Sequence, residues 1–163
     1  MKEPFLWLKI GTIFRIVSVK INIYTKFEMK NCIFCQIVEG KIPCFKVYED
    51  TNFLAFLDIA PLNPGHTLII PKKHYRYVDD ILEFGKYFEI AKRIGKAIKK
   101  VTGYEHIYYL SFGNMVEHAH IWVMPHFKGD KHGDSLNDKA RGKLTDKEGK
   151  DLSEKLAKAV NDL

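Results

Sequence analysis

The chain has 163 residues, 46% of them apolar, enough to bury one core and too few for two typical domains. Its formal charge of +6 comes from lysines scattered along the length, which suits an anionic ligand without requiring nucleic acid, so a nucleotide is expected ahead of a nucleic-acid partner, and its three cysteines cannot all pair, which argues against a disulfide scaffold. The apolar stretch at 5–27 is broken by Lys9, Arg15, Lys20 and Lys26, so no membrane partner is expected; Glu3 and the lack of a small-residue cleavage site argue against a signal peptide and place the protein in the cytoplasm.

Residues 1–28 differ from the rest. Val17, Val19, Ile21 and Ile23 alternate with polar residues in the manner of a half-buried strand, and Met29 reads like a fresh start. A non-native or mis-assigned leader is the preferred reading of this extension, ahead of an extra edge strand or a dimer contact. A domain over 29–127 and a polar loop with an amphipathic helix over 128–163 complete the expected division.

Short β-type runs at 45–49 and 53–57 flank the turn-forming residues 49–52, predicting a hairpin. Pro61, Asn63, Pro64 and Gly65 punctuate the next loop, and the β-branched run at 67–70, ended by Pro71, predicts a buried central strand. Phe84, Phe88, Ala91, Ile94, Ile98 and Val101 recur at helical spacing within 82–101, with Gly103 as terminator. Strands are expected at 107–112 and 119–124, with a turn at Phe112, Gly113 and Asn114 between them. Thr145 and Glu148 form a capping box ahead of Leu152, Leu156 and Val160, predicting a C-terminal helix. The fold class is therefore α+β: a mostly antiparallel five-stranded sheet with a main helix and a C-terminal helix.

Strand alternation along 117–125 sends His118, His120 and Trp122 to one face and Ala119, Ile121 and Val123 to the other. Neutral imidazole is a nucleophile at phosphorus and a metal ligand, and two on one strand can divide those roles. Cys32 and Cys35 form a C-x-x-C, a spacing read as metal or redox chemistry; a redox pair usually opens a helix after a βαβ-type strand, which this chain lacks. Cys44 has no spaced partner and reads as a small apolar residue. His66 reads as a loop-ordering hydrogen bonder, and His106, His126 and His132 carry no signal.

Cys32 through Pro43, Val47-Tyr48-Glu49-Asp50, Ala55 through Ile59, Pro64 through His74 and the histidine strand, taken in this order and spacing, closely resemble the histidine triad (HIT) family over residues 31–127. The resemblance implies a small α+β homodimer that hydrolyses or transfers nucleotidyl groups through a nucleotidyl-histidine. The middle histidine of the family's H-x-H-x-H pattern is the nucleophile, which falls on His120. Asp58 would hold the ribose hydroxyls, and Ile33, Phe34, Ile37, Phe56 and Ile59 would line the base pocket. Each also has a plain reading, as core or as a turn-capping aspartate. Some HIT-type and related proteins hold a structural zinc on two cysteines and two histidines, which matches Cys32, Cys35, His74 and His118 and leaves His120 free.

Two departures stand out. Trp122 occupies the third histidine position, where an indole can neither shuttle a proton nor accept a hydrogen bond, although it can donate its N–H or stack. The loop before the histidine strand is short, leaving Ser111, Gly113 and Asn114 as the substitutes for the family's α-phosphate donors. The first functional reading is a nucleotide hydrolase or transferase acting on the α-phosphate of a nucleoside phosphate, phosphoramidate or dinucleoside polyphosphate, a purine nucleotide or dinucleotide, with Lys72 and Lys73 steering the anion. The alternative is a non-catalytic, zinc-stabilised nucleotide-binding or regulatory module. An RNA-associated protein is the remoter third.

Overall fold

The structure, a computed structural model, describes residues 31–132, 137 and 140–163. The strand expected within 1–28 lies outside the described residues. The element order is α1 (Ile33–Val38), β1 (Lys46–Glu49), β2 (Phe53–Leu57), β3 (Thr67–Pro71), a 3₁₀ turn (Val78–Asp80), α2 (Phe84–Thr102), β4 (His106–Leu110), β5 (Ile121–His126) and α3 (Asp146–Asn161). The strands form one antiparallel sheet in the order β1-β2-β3-β5-β4. This is the α+β, five-stranded architecture expected, and β2 and β3 are buried at every position because both faces of the sheet are covered.

One face carries Val47, Phe53, Ala55, Leu57, Ile69, Ile121 and Val123 and packs against α2 and α3 in a single core that includes Leu156, Ala159 and Val160. The other face carries Leu54, Phe56, Leu68, Ile70 and Trp122 and is covered by Phe34 and Ile37 of α1. The in-out alternation expected around Trp122 is therefore realised. Each buried aromatic or aliphatic side chain contributes roughly 1.5–3 kcal/mol to this arrangement.

Helix α2 corrects the sequence reading in its orientation. Its buried residues are Tyr87, Ile90, Ala91, Ile94, Ala97 and Ile98, whereas Phe84 and Phe88 stay 43% and 40% exposed. The apolar rows are wide enough that a 3.6-residue period does not decide which one meets the sheet. At Gly95 a Cβ would lie 2.2 Å from Tyr109 Oη, so a larger residue there would displace the tip of the Tyr109 ring from its seat on α2. Gly103, at φ 76°, ends the helix as expected.

Strands β4 and β5 run His106–Leu110 and Ile121–His126 rather than 107–112 and 119–124, and ten residues join them instead of a tight turn. Helix α1 was not anticipated, since six residues are too few to display a helical period. At the C-terminus the capping box holds: Thr145 Oγ1 accepts from Glu148 N–H, and the Glu148 carboxylate accepts from Thr145 N–H. Among the described residues no helix is long and apolar enough to cross a membrane.

Candidate functional site

The ladder of β5 with β3 continues backwards as an extended lead-in, where Ala119 N–H donates to Tyr75 O at 2.7 Å. That bond locks residues 118–120 beside the segment after β3 and fixes which way the two imidazoles face. His118 is wholly buried and His120 is 5% exposed. Phe34 of α1 packs edge-on to both rings, at centroid distances of 5.8 and 5.3 Å, so the helix missing from the sequence reading is what covers the pair.

His118 faces the thiols. Its Nδ1 lies 3.4 Å from Cys32 Sγ and 3.5 Å from Cys35 Sγ, while His74 Nδ1 is 3.3 Å from Cys35 Sγ. The four ligand atoms all fall within 4.8 Å of one another. Zinc about 2.3 Å from sulfur and about 2.0–2.1 Å from nitrogen needs tetrahedral edges of roughly 3.4–3.8 Å, close to the separations found. His118 Nε2–H donates to Pro71 O at 2.8 Å, which leaves the Nδ1 lone pair pointing at the thiols, the outer contact expected of a ligand imidazole. Burial and the neighbouring Cys32 push the Cys35 thiol up to about 12, and burial pushes His118 down to about 4. A divalent cation would reverse the first shift and suits the second, so the residues present fit the metal.

His120 faces away from the thiols. Its Nδ1–H donates to His118 O at 2.8 Å, which leaves Nε2 as the ring nitrogen that carries the lone pair. Burial holds its pKa below the ordinary histidine value, against the opposing influence of the His118 carbonyl and of Asp58. A neutral imidazole with a fixed tautomer can act as a nucleophile or as a ligand.

Asp58, at the end of β2, accepts from Ala60 N–H at 2.8 Å through Oδ1 and pairs with Arg141 Nη1 at 3.1 Å through Oδ2. Trp122 is half-buried between three rings or cations: His66 at 4.9 Å, Phe112 at 5.1 Å and the Arg141 guanidinium at 4.8 Å above the indole. Arg141 belongs to a backbone strap in which Gly142 N–H donates to Pro61 O and Leu144 N–H to Ile59 O, while Arg141 Nη1 also reaches Ala60 O.

The structure brings together Phe34, Ile37, Phe56 and Trp122 on the face covered by α1. Ile33 and Ile59 are 45% and 69% exposed at its margin. Ser111 and Gly113 instead line a groove of about 370 Å³ with Tyr77, Phe84 and Phe88, and Gly113 O accepts from Arg76 Nη1; Asn114 is exposed. Lys72 pairs with Glu49 and Lys73 lies over the Tyr75 ring, so neither is an unengaged steering charge. His66 orders its loop as expected, accepting from Leu62 N–H at 3.4 Å.

Three residues that reasoning from sequence passed over now stand out. Arg141 reaches Asp58 across 83 residues from a polar segment without periodicity, and Phe112 reaches Trp122 from a loop. His132, without any signal of its own, is buried and donates from Nε2 to Leu62 O at 3.0 Å.

Fold and site together define a small α+β protein with two buried histidines leading into β5, the first of them set against a pair of thiols. A family model described as the HIT domain matches residues 39–129, and the chain belongs to the histidine triad family. It is 41% identical over 105 residues to an uncharacterised HIT-like protein of Methanocaldococcus jannaschii, covering 61% of this chain and 81% of that one. It is 39% identical over 103 residues to an adenosine 5'-monophosphoramidase of Schizosaccharomyces pombe, covering 58% and 74%. Among solved structures, a zinc-bound histidine triad family protein from Mycobacterium smegmatis superposes with a TM-score of 0.69 at 30% identity, over 82% of this chain and 96% of that one.

Proposed function

We propose that the protein is a nucleotidyl-group hydrolase or transferase in which His120 Nε2 attacks the α-phosphorus of a purine nucleotide substrate. The observation that carries this reading is the His120 Nδ1–H bond to the His118 carbonyl, which fixes the tautomer and leaves Nε2 as the unprotonated ring nitrogen. Attack forms a P–N bond as the leaving group departs, and water then releases the nucleotide and returns the electron pair to Nε2. The phosphoramidase activity named for the yeast relative is of this chemical kind.

In this reading Phe34, Ile37 and Phe56, with Ile33 and Ile59 at the rim, hold the base. Asp58 takes the ribose diol through charge-assisted hydrogen bonds. Ser111, Gly113 and Asn114 would meet the phosphate after the loop turns inward. Cys32, Cys35, His74 and His118 would hold zinc, which ties α1 to β5 and so supports the wall that packs on His120. The outer edge of β4, beside exposed Tyr109 and Phe112 and near Phe84 and Phe88, is where this reading expects a second copy of the chain.

The test is intact-mass analysis after rapid mixing with adenosine phosphoramidate and with diadenosine tetraphosphate, for the native protein and His120→Ala. A nucleotidyl adduct or steady AMP release that disappears in the variant is expected. Nucleotide binding with neither adduct nor AMP would instead establish the non-catalytic binding module, a reading favoured by Trp122 at the third histidine position.

A further inference from the structure

Building on the hydrolase reading, we propose that Arg141 is a substrate-contacting residue that selects leaving groups able to depart as anions, a phosphate or polyphosphate, over amines that must be protonated to leave. The position is unusual in its construction. The guanidinium is held 4.8 Å over the Trp122 indole, 3.1 Å from Asp58 Oδ2 and 2.9 Å from Ala60 O, on a strap fastened by two backbone hydrogen bonds to the 59–61 loop. The capping box of α3 follows directly at Thr145, so the strap is fastened on the C-terminal side of Arg141.

Trp122 lies two residues beyond His120 on the same side of the strand, a separation of about 7 Å. The Asp58 carboxylate that holds Arg141 also acts on the His120 ring, so the guanidinium and that imidazole are grouped around one carboxylate. A ribose diol and Arg141 compete for the same Asp58 carboxylate. When the diol takes Asp58, the guanidinium is released from that bond while its platform on the indole remains, and incoming phosphoryl oxygens are its natural partners.

The chemistry of this cation determines what it can do. Guanidinium stays charged at every working pH, so it stabilises negative charge and donates no proton to a departing atom. With an anhydride, His120 Nε2 forms the P–N bond, the bridging P–O bond breaks, and its electron pair leaves on a phosphate oxygen paired with Arg141. Water then attacks the phosphorus, loses its proton to solvent, and the P–N electron pair returns to His120. With a phosphoramidate the departing nitrogen needs a proton, and neither Trp122 nor Arg141 supplies one. Trp122 and Arg141 together thus favour the anhydride.

The experiment measures kcat and KM for diadenosine tetraphosphate and adenosine phosphoramidate with the native protein, Arg141→Ala, Arg141→Lys and His120→Ala. AMP affinity and thermal melting of each variant are measured alongside. We expect the native protein to prefer the anhydride and Arg141→Ala to lose on the order of 10²-fold in kcat on it, the scale of one oxyanion-stabilising donor. The phosphoramidate should lose far less, so the ratio of the two specificity constants falls at least about tenfold, with part of it restored by lysine. Turnover that vanishes in His120→Ala but is insensitive to Arg141→Ala, or equal losses on both substrates, overturns the assignment of Arg141 alone. No adduct and no AMP from either substrate with the native protein overturns the hydrolase reading and this inference with it.

Discussion

Replacing Cys35 by serine tests the proposed zinc site most directly. Cys35 is buried, its sulfur lies 3.3 Å from His74 Nδ1 and 3.5 Å from His118 Nδ1, and serine keeps its shape while removing the thiolate. The surrounding sheet has its own apolar core, so loss of the metal should loosen α1 rather than unfold the domain. A ligand present at about 1,000 times its dissociation constant stabilises the folded state by roughly 4 kcal/mol. For a chain of this size about 1 kcal/mol moves Tm by roughly 2–4 °C, so the zinc-loaded protein should melt roughly 8–16 °C above Cys35→Ser or the chelator-treated native protein. The assay is zinc stoichiometry by elemental analysis together with differential scanning calorimetry at saturating zinc. One zinc per chain in the native protein, absent in the variant, is the expected result. Native protein with less than a tenth of an equivalent, melting identically with and without chelator, would refute the reasoning.

Two further outcomes follow from the same geometry. The Asp130 carboxyl is held down at about 2: burial alone would raise it, but the Asn63 amide, the His132 N–H and the His126 ring outweigh that. Because the folded value lies below the unfolded value of about 3.9, the stabilisation is present above about pH 4 and is lost as pH falls toward 2. Acid titration of the melting temperature should show this loss, and Asp130→Asn should flatten it while lowering stability at neutral pH. In sedimentation experiments the native 18.9 kDa chain should run as a dimer, and Phe88→Asp, on the exposed row of α2, should shift it to monomer. A native monomer at micromolar concentration would exclude the β4 edge as the subunit contact.

Much of the fold was legible because local signals agree with the tertiary structure. The β-branched run at 67–70 lies in a fully buried strand, and Thr145 with Glu148 marks the start of α3 as written. Errors arose where the information is not local. Six residues of α1 are too short to show a period, and α2 carries two adjacent apolar rows of which only packing chooses one. The Cys32, Cys35, His74 and His118 grouping was reached through likeness to a family, since spacing within one strand cannot show that 39- and 83-residue separations close. Arg141 had no such support, being a cation in a polar segment whose significance exists only once the strap meets the 59–61 loop.

Trp122 is best understood through what surrounds it. Burial pushes the neighbouring His66 down to about 4, so it packs against the indole edge as a neutral ring; a charged one would meet the Arg141 guanidinium in the same cluster. The indole face in turn attracts that guanidinium by about 0.5–2 kcal/mol, depending on how far the pair is desolvated, and the Arg141 side chain here is 24% exposed. An imidazole at position 122 would offer a smaller and poorer platform and, when protonated, would repel the arginine. A protonated third histidine and a stacked arginine therefore disfavour one another at this place in the fold. In the proposed reading, Trp122 and Arg141 act together, and the substrate they favour is the one whose leaving group carries negative charge rather than requiring a proton.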